Sequence, residues 1–316
     1  MSKVKSVIKN RLGGELWKEL KEVSYAKNKY GGIDPLLDAV LRKKDYLVAG
    51  LFFGNGMMQK RYNQSLYKML FKLYTSSADS SLFDFDGMIL PKMKTEKDIN
   101  SFCVEFLAHF MYYVLKNKDA CDILAIQQGP YEYGEVRIHK SDIYIDAGAN
   151  TGINSVVASR KGAFVYAFEP SLDIINNYLS ITAANNPNIN ICKYALSNKE
   201  EDLDFIIGRT IGVGTLAITG LGDCSNDITT VKAIPLDIFV QENNLPRVDF
   251  IKADIEGAER FMLMGAKNVL KDFAPKLSIC KYHLPDDPEV LRGLILDANP
   301  KYVIEERLGL IYAHVP

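Results

Sequence analysis

Carboxylates and glycines in this sequence gather in three short stretches whose spacing can do chemistry. The first is Asp142-Ile-Tyr-Ile-Asp-Ala-Gly-Ala-Asn-Thr-Gly152, an apolar β-branched run that ends at Asp146 and passes into small residues. It reads as a strand and a glycine turn, followed by a helix candidate from Ile153 to Ala158. That is the opening of a nucleotide-binding βαβ unit. Gly148 and Gly152 lack a Cβ and let backbone come close to a ligand. In the second stretch, the apolar run Ala163 to Phe168 leads to Glu169-Pro170. An acid at the end of a second strand can accept hydrogen bonds from a ribose diol. A dinucleotide fingerprint requires Gly-x-Gly-x-x-Gly, but Asn150 and Ile153 stand at its second and third glycine positions. An ordinary α/β turn with a surface Glu would explain either stretch alone. Together they point to a nucleoside-containing ligand.

The third stretch is Val248-Asp-Phe-Ile-Lys-Ala-Asp254, followed by Ile-Glu-Gly-Ala-Glu259. Its strand is expected to end at Asp254 and its helix to open near Glu256. The helix macrodipole alone would favour acids there. Lys252 and Asp254 share a strand face, and a buried lysine needs a partner. Further on, Lys276 to His283 reads as a strand that brings Tyr282-His283 to the same rim. A lone His at a strand end is ordinarily a polar surface residue. Its expected place beside Asp254 favours proton transfer instead.

Asp146-Ala-Gly-Ala-Asn-Thr-Gly152, Phe168-Glu-Pro170 and Phe250-Ile-Lys-Ala-Asp-Ile-Glu-Gly-Ala-Glu259 resemble the FkbM family of S-adenosylmethionine-dependent methyltransferases. The resemblance covers Tyr131 to the C-terminus. It implies a class I methyltransferase (Rossmann-like) α/β fold and the cofactor S-adenosylmethionine, with S-adenosylhomocysteine as product. It also implies that Gly148, Ala149, Asn150, Thr151 and Gly152, with Asp146, hold the methionine moiety. Glu169 would take the ribose, Leu196 or Ser197 the adenine, and Asp254 the cofactor's ammonium or the acceptor hydroxyl. Lys252 and Glu256 would line the same pocket. His283 is the first candidate for general base and Asp254 the second. Tyr131 or Tyr133 could cover the nucleoside, and a packed tyrosine is the equal alternative. The acceptor implied is a hydroxyl of a sugar or glycoconjugate, as in polysaccharide biosynthesis. A nicotinamide-dependent oxidoreductase and a non-catalytic scaffold retaining the fold are the competing readings.

The elements that must position these residues follow a β-then-α rhythm. Strands are expected at 142–146, 163–168 and 189–194, with helices at 152–160 and 171–185, the second capped by Ser171. Such alternation gives a mostly parallel sheet with helices on both faces. Its ligands sit outside the strands' carboxyl ends, where Asp146, Glu169, Leu196, Ser197 and Asp254 all fall. Short strands are expected at 203–207, 214–218 and 228–234, and a short strand from Glu135 to His139. Later come a helix at 287–297 and strands at 301–304 and 308–313, the last antiparallel.

Residues 1–130 read as a helical region, with its clearest helix after a Thr95 cap, and 131–316 as the cofactor-binding domain. The helical region is expected to serve oligomerisation into a homo-oligomer, or the substrate side. His109 reads as a packed core residue. Of the 316 residues, 47% are hydrophobic and 24% charged, which suits a globular protein. A net charge of −1 gives no footprint for nucleic acid, so none is expected as a partner. Five scattered cysteines suit a reduced, cytoplasmic setting. No secretory signal and no apolar run of spanning length stand out, so no membrane span is expected. No His, Cys and carboxylate cluster has metal-ligand spacing, and no required metal is expected.

Overall fold

The computed structural model describes residues 74–75, 81–106 except 86, 100 and 104, and 131–316 except 209–213, 222–226 and 308. By internal contact the chain divides into two units. One comprises Met1–Ser76 with Leu107–Ile126, the other Ser77–Phe106 with Gln127–Pro316. Most of the helical reading of residues 1–80, and the reading of His109, lie outside the described residues.

The second unit is built on a seven-stranded sheet. Its strands are β3 (Ile143–Ala147), β4 (Phe164–Phe168), β5 (Ile189–Cys192), β10 (Phe250–Ala253), β11 (Lys276–Cys280), β12 (Val303–Arg307) and β13 (Leu310–His314), in the order β12-β13-β11-β10-β3-β4-β5. The five central and distal strands from β11 to β5 run parallel. β13 pairs antiparallel with β11 and with β12. This is the class I methyltransferase sheet. The strand order reverses between β3 and β10, so that is the switch point where a ligand crevice opens.

Alternation along the strands explains the layers. Ile145 and Ala147 of β3, with Ile251 and Ala253 of β10, face α3 (Leu236–Glu242), α4 (Glu259–Met264), α5 (Lys267–Asp272) and α6 (Asp287–Ala298). Tyr144 and Phe250 face the other way, towards α1 (Ile153–Arg160) and α2. Helix α2 runs through Leu172–Ile174, a π-helical turn at Ile175–Leu179, and Ser180–Asn185. Ser171 caps it as expected, accepting from the backbone of Ile174 at 3.3 Å.

A second sheet, β6-β9-β7-β8, consists of Ala195–Leu196, Ile228–Ile234, Glu201–Ile206 and Thr215–Leu216. It lies where the sequence expects short strands, although the middle one shrinks to two residues before a 3₁₀ turn at Ala217–Thr219. Residues 135–139 form no strand. Only an isolated bridge joins Tyr133 and Val136.

One departure lies before residue 130. β1 (Leu82–Phe85) and β2 (Met88–Pro91) form an antiparallel hairpin where only helix was expected. The sequence signal is Asp86-Gly87, a two-residue hairpin loop. Asp84 accepts from the Gly87 backbone at 2.8 Å and closes the turn. The helix after Thr95 is present at 96–99, 101–103 and 105–106. Thr95 caps it, accepting from the Asp98 backbone at 3.2 Å. Phe102 and Phe106 stack on each other and meet the Phe83 ring edge to face.

Candidate active site

A cleft of about 450 Å³ opens at the carboxyl ends of β3, β4 and β10, a size that suits a small-molecule ligand. Gly148, Asn150, Glu169, Leu196, Asp254 and Glu256 all line it.

The first wall is backbone. Gly148 and Ala149 both donate to the Phe168 carbonyl, at 3.1 and 2.9 Å, which folds the loop after β3 over the end of β4. Gly148 has φ +76, and a Cβ there would stand 2.0 Å from the Asp254 carbonyl oxygen. Only glycine allows the two loops to meet so closely. Asn150 is also left-handed, with φ 49. Its N–H donates to Glu169 Oε2 at 3.1 Å, and the Ser171 N–H donates to Oε1 at 2.9 Å. Burial pushes the Glu169 carboxyl up to about 7, although those two backbone donors pull it down.

The floor is a buried ion pair. Lys252 and Asp146 are cross-strand neighbours, 2% and 0% exposed, with Nζ 3.1 Å from Oδ1. Lys252 also donates to the carbonyls of Gly148 at 2.8 Å and Ala147 at 3.2 Å. Asp146 further accepts from Ser155 at 2.6 Å. Burial opposes the Lys252 charge, but Asp146 and Asp254 outweigh it and raise its pKa above the ordinary lysine value. The partner that the buried lysine needed is therefore Asp146. Neither residue is part of the cleft lining. They brace the loop from beneath.

The second wall is a cluster of side chains after β10 and β11. The helix expected to open near Glu256 begins at Glu259 instead. Glu256 has φ 52, a left-handed turn pinned by Thr215, which donates to its carbonyl at 2.7 Å. Such strain in a non-glycine residue concentrates at functional sites. Asp254 accepts from the hydroxyls of Tyr131 at 2.8 Å and Tyr282 at 3.1 Å. His283 lies behind these acids, its side chain 5% exposed. Its Nε2 is 3.5 Å from both Asp254 and Glu256, and its Nδ1 is 3.1 Å from Glu259. Burial works against the imidazolium, yet Glu259, Asp254 and Glu256 raise His283 to about 9. Burial lifts Glu256 to about 7, with His283 opposing. Asp254 is held below the ordinary carboxylate range, because Lys252 and His283 outweigh its burial.

The structure thus gathers Gly148, Asn150, Glu169, Leu196, Asp254 and Glu256 around one cleft. Ala149, Thr151, Gly152 and Ser197 are placed otherwise. Ala149 and Thr151 are buried in the turn. Gly152 packs on α2, where a Cβ would meet Thr182 at 2.7 Å. Ser197 is fully buried, its carbonyl abutting Gly265. Tyr131 holds Asp254, and Tyr133 lies against Tyr312 and Arg307.

Two acids of the site have no role in the sequence reading. Glu259 sits under His283 and accepts from the backbone of Ile255 and Gly257. Glu105 comes from the helix after Thr95 and accepts from Asn150 Nδ2 at 3.3 Å. Burial raises its pKa to about 7. Its signal was visible, since it is the carboxylate that interrupts the apolar run from Phe102.

Residues 146–302 match the methyltransferase FkbM domain. This segment belongs to that family. The FkbM domain is of the S-adenosylmethionine-dependent class. Its two walls coincide with the glycine loop and the Lys-x-Asp-x-Glu-Gly-x-Glu stretch that carry the resemblance in the sequence. The hexuronic acid methyltransferase AglP of Haloferax volcanii is 27% identical over 160 residues, which cover 51% of this chain and 64% of that protein. The chain therefore spans under two-thirds of the relative it matches. Among solved structures, a methyltransferase FkbM from Methylobacillus flagellatus aligns over 84% of this chain and 61% of its own, at 16% identity and a TM-score of 0.44. The fibrillarin pre-rRNA processing protein of Methanococcus jannaschii aligns over 63% and 76%, at 15% identity and a TM-score of 0.35. Scores this low carry no argument about an acceptor. Among the described residues, no helix is long and apolar enough to cross a membrane. Cys103, Cys192 and Cys280 are buried free thiols.

Proposed function

We propose that this protein transfers the methyl group of S-adenosylmethionine to a hydroxyl of a sugar or glycoconjugate. The observation that carries the reading is one cleft with unlike ends. A carboxylate at the end of β4 suits a ribose, and a carboxylate–imidazole cluster at the end of β10 suits an acceptor. The relative named as a hexuronic acid methyltransferase supports a sugar acceptor.

The residues present fit such a cofactor. Gly148 lines the cleft in a turn with no room for a Cβ, and Glu169 keeps free lone pairs for a diol beside its two backbone donors. When bound, S-adenosylmethionine supplies a methyl already activated on sulfonium. The chain's own task is then orientation and proton removal. Asp254 and Glu256 line the cleft whereas His283 sits behind them, so a carboxylate takes the hydroxyl proton. The acceptor oxygen gains the C–O bond as the C–S bond breaks, leaving a methyl ether and S-adenosylhomocysteine. His283, first choice for the base by sequence, stands 3.5 Å from each of these acids.

Calorimetric titration tests the first half. S-adenosylmethionine and S-adenosylhomocysteine should bind with micromolar Kd, on the order of −8 kcal/mol, and NAD should not. A Glu169→Ala variant should lose that binding. Methyl transfer to hexuronic acid glycosides, followed by mass spectrometry, tests the second half. A folded protein that binds neither cofactor form would overturn the reading, and preference for NAD would favour an oxidoreductase.

A further inference from the structure

Three potential ligand atoms converge at the acceptor end of the cleft. Asp254, Glu256 and His283 each offer one, and the three lie within 4.8 Å of one another. The histidine is the unusual member. Its side chain is 95% buried, and while Nδ1 is engaged by Glu259 at 3.1 Å, Nε2 makes no hydrogen bond. Nε2 points between the two carboxylates, 3.5 Å from each. Ligands at ~2.1 Å from a tetrahedral or octahedral cation stand about 3.0–3.5 Å apart, so this spacing fits an ion held between them. Behind the ring, Nδ1 faces Glu259, whose own carboxylate is fixed by two backbone N–H groups. A carboxylate behind a ligating imidazole sets its tautomer and aims its other nitrogen at the metal. The Glu256 turn, held left-handed by Thr215, presents the third ligand.

We infer that Asp254, Glu256 and His283 form a binding site for one divalent cation of the manganese or zinc class. One imidazole with two carboxylates suits such borderline ions better than magnesium, which prefers an all-oxygen shell. Asp254 and Glu256 open onto the cleft, so positions remain for substrate oxygens. This role rests on the sugar-methylation reading. The cation would grip the acceptor hydroxyl together with a neighbouring hydroxyl or carboxylate. Coordination would lower the hydroxyl's pKa and hold its oxygen in place for attack. No metal-ligand spacing marks these three residues in the sequence, because they come from the ends of two different strands.

Full-length protein stripped with chelator should be titrated with Mn²⁺, and separately with Zn²⁺, by calorimetry. Saturable uptake of one ion per chain is expected. His283→Ala and the near-isosteric Glu256→Gln should each weaken it at least tenfold, and Glu259→Gln by about 10–100-fold through the lost orientation of the ring. Circular dichroism checks that each variant is folded. Bound Mn²⁺ should also show a changed electron paramagnetic resonance signal on adding a uronic acid. No saturable uptake, or equal uptake by folded variants, overturns the proposal and leaves a protonated imidazole salt-bridged to its acids. S-adenosylmethionine titration of the stripped protein separates the two readings. Cofactor binding without metal uptake sinks only the cation site, whereas loss of cofactor binding in intact protein sinks the methyltransferase function.

Discussion

The two walls of the cleft are made from different materials. The wall after β3 is mostly backbone, a tight turn with Glu169 pinned by two N–H groups. The wall after β10 is mostly ionisable side chains, Asp254, Glu256 and Glu259 packed around the His283 imidazole. A cofactor common to many reactions can be held by groups that almost any sequence supplies, provided glycine stands where the chain turns. An acceptor and its proton need specific side chains at specific separations. Lys252 joins the two walls, because it belongs to the second strand but holds the carbonyls of the first loop.

That comparison can be broken most severely at the brace. Lys252→Met should leave Asp146 buried without its counter-charge, lowering stability by about 3–5 kcal/mol in a denaturant titration. Unchanged stability with lost turnover would make Lys252 a member of the catalytic wall instead. Gly148→Ala comes next. A Cβ against the Asp254 carbonyl, at positive φ, should cost roughly 1–3 kcal/mol and should weaken S-adenosylmethionine more than an acceptor. Equal loss for both ligands would show that the walls do not act separately.

Proton linkage gives a gentler test. Glu169 has a raised pKa of about 7, so it is neutral below that pH and ionised above it. The ionised form accepts hydrogen bonds from the ribose hydroxyls, so cofactor affinity should rise between pH 6 and 8, by up to about tenfold from this group. Glu169→Gln should remove that step while any titration of the ligand itself remains. An undiminished step in the variant would assign it elsewhere. The smallest effect is expected at Tyr282→Phe, which deletes one hydrogen bond to Asp254. About 0.5–1.5 kcal/mol of lost stabilisation should appear in kcat, with cofactor affinity unmoved.

The same contrast explains what could be read in advance. Asp146, Gly148 and Glu169 lie close along the chain, and their strands and turns follow from local pattern. The mostly parallel sheet and the cleft's position at its carboxyl ends were legible for that reason. Lys252 was recognised as needing a partner, but β10–β3 register alone names Asp146. Ser197 was read at a strand's carboxyl end as a candidate for the adenine and is buried with its carbonyl against Gly265, a packing that no local pattern encodes. Glu256 was placed at a helix start, since acids favour that position, and backbone strain that sequence does not show holds it in a turn. Glu105 enters the site through tertiary packing, and Glu259 through a local turn whose backbone it holds at Ile255 and Gly257.

Glu105 also has a consequence for how this protein can be divided. It bonds Asn150 of the cleft wall from outside residues 146–302, Asp98 of the same helix lines the cleft itself, and that helix belongs to the same compact unit as the cleft. The other unit's two pieces, Met1–Ser76 and Leu107–Ile126, enclose that helix in the sequence. Each unit therefore interrupts the other along the chain. No single cut frees either, and a chimera that grafts only the matched segment onto another protein would leave behind part of the pocket it was meant to carry.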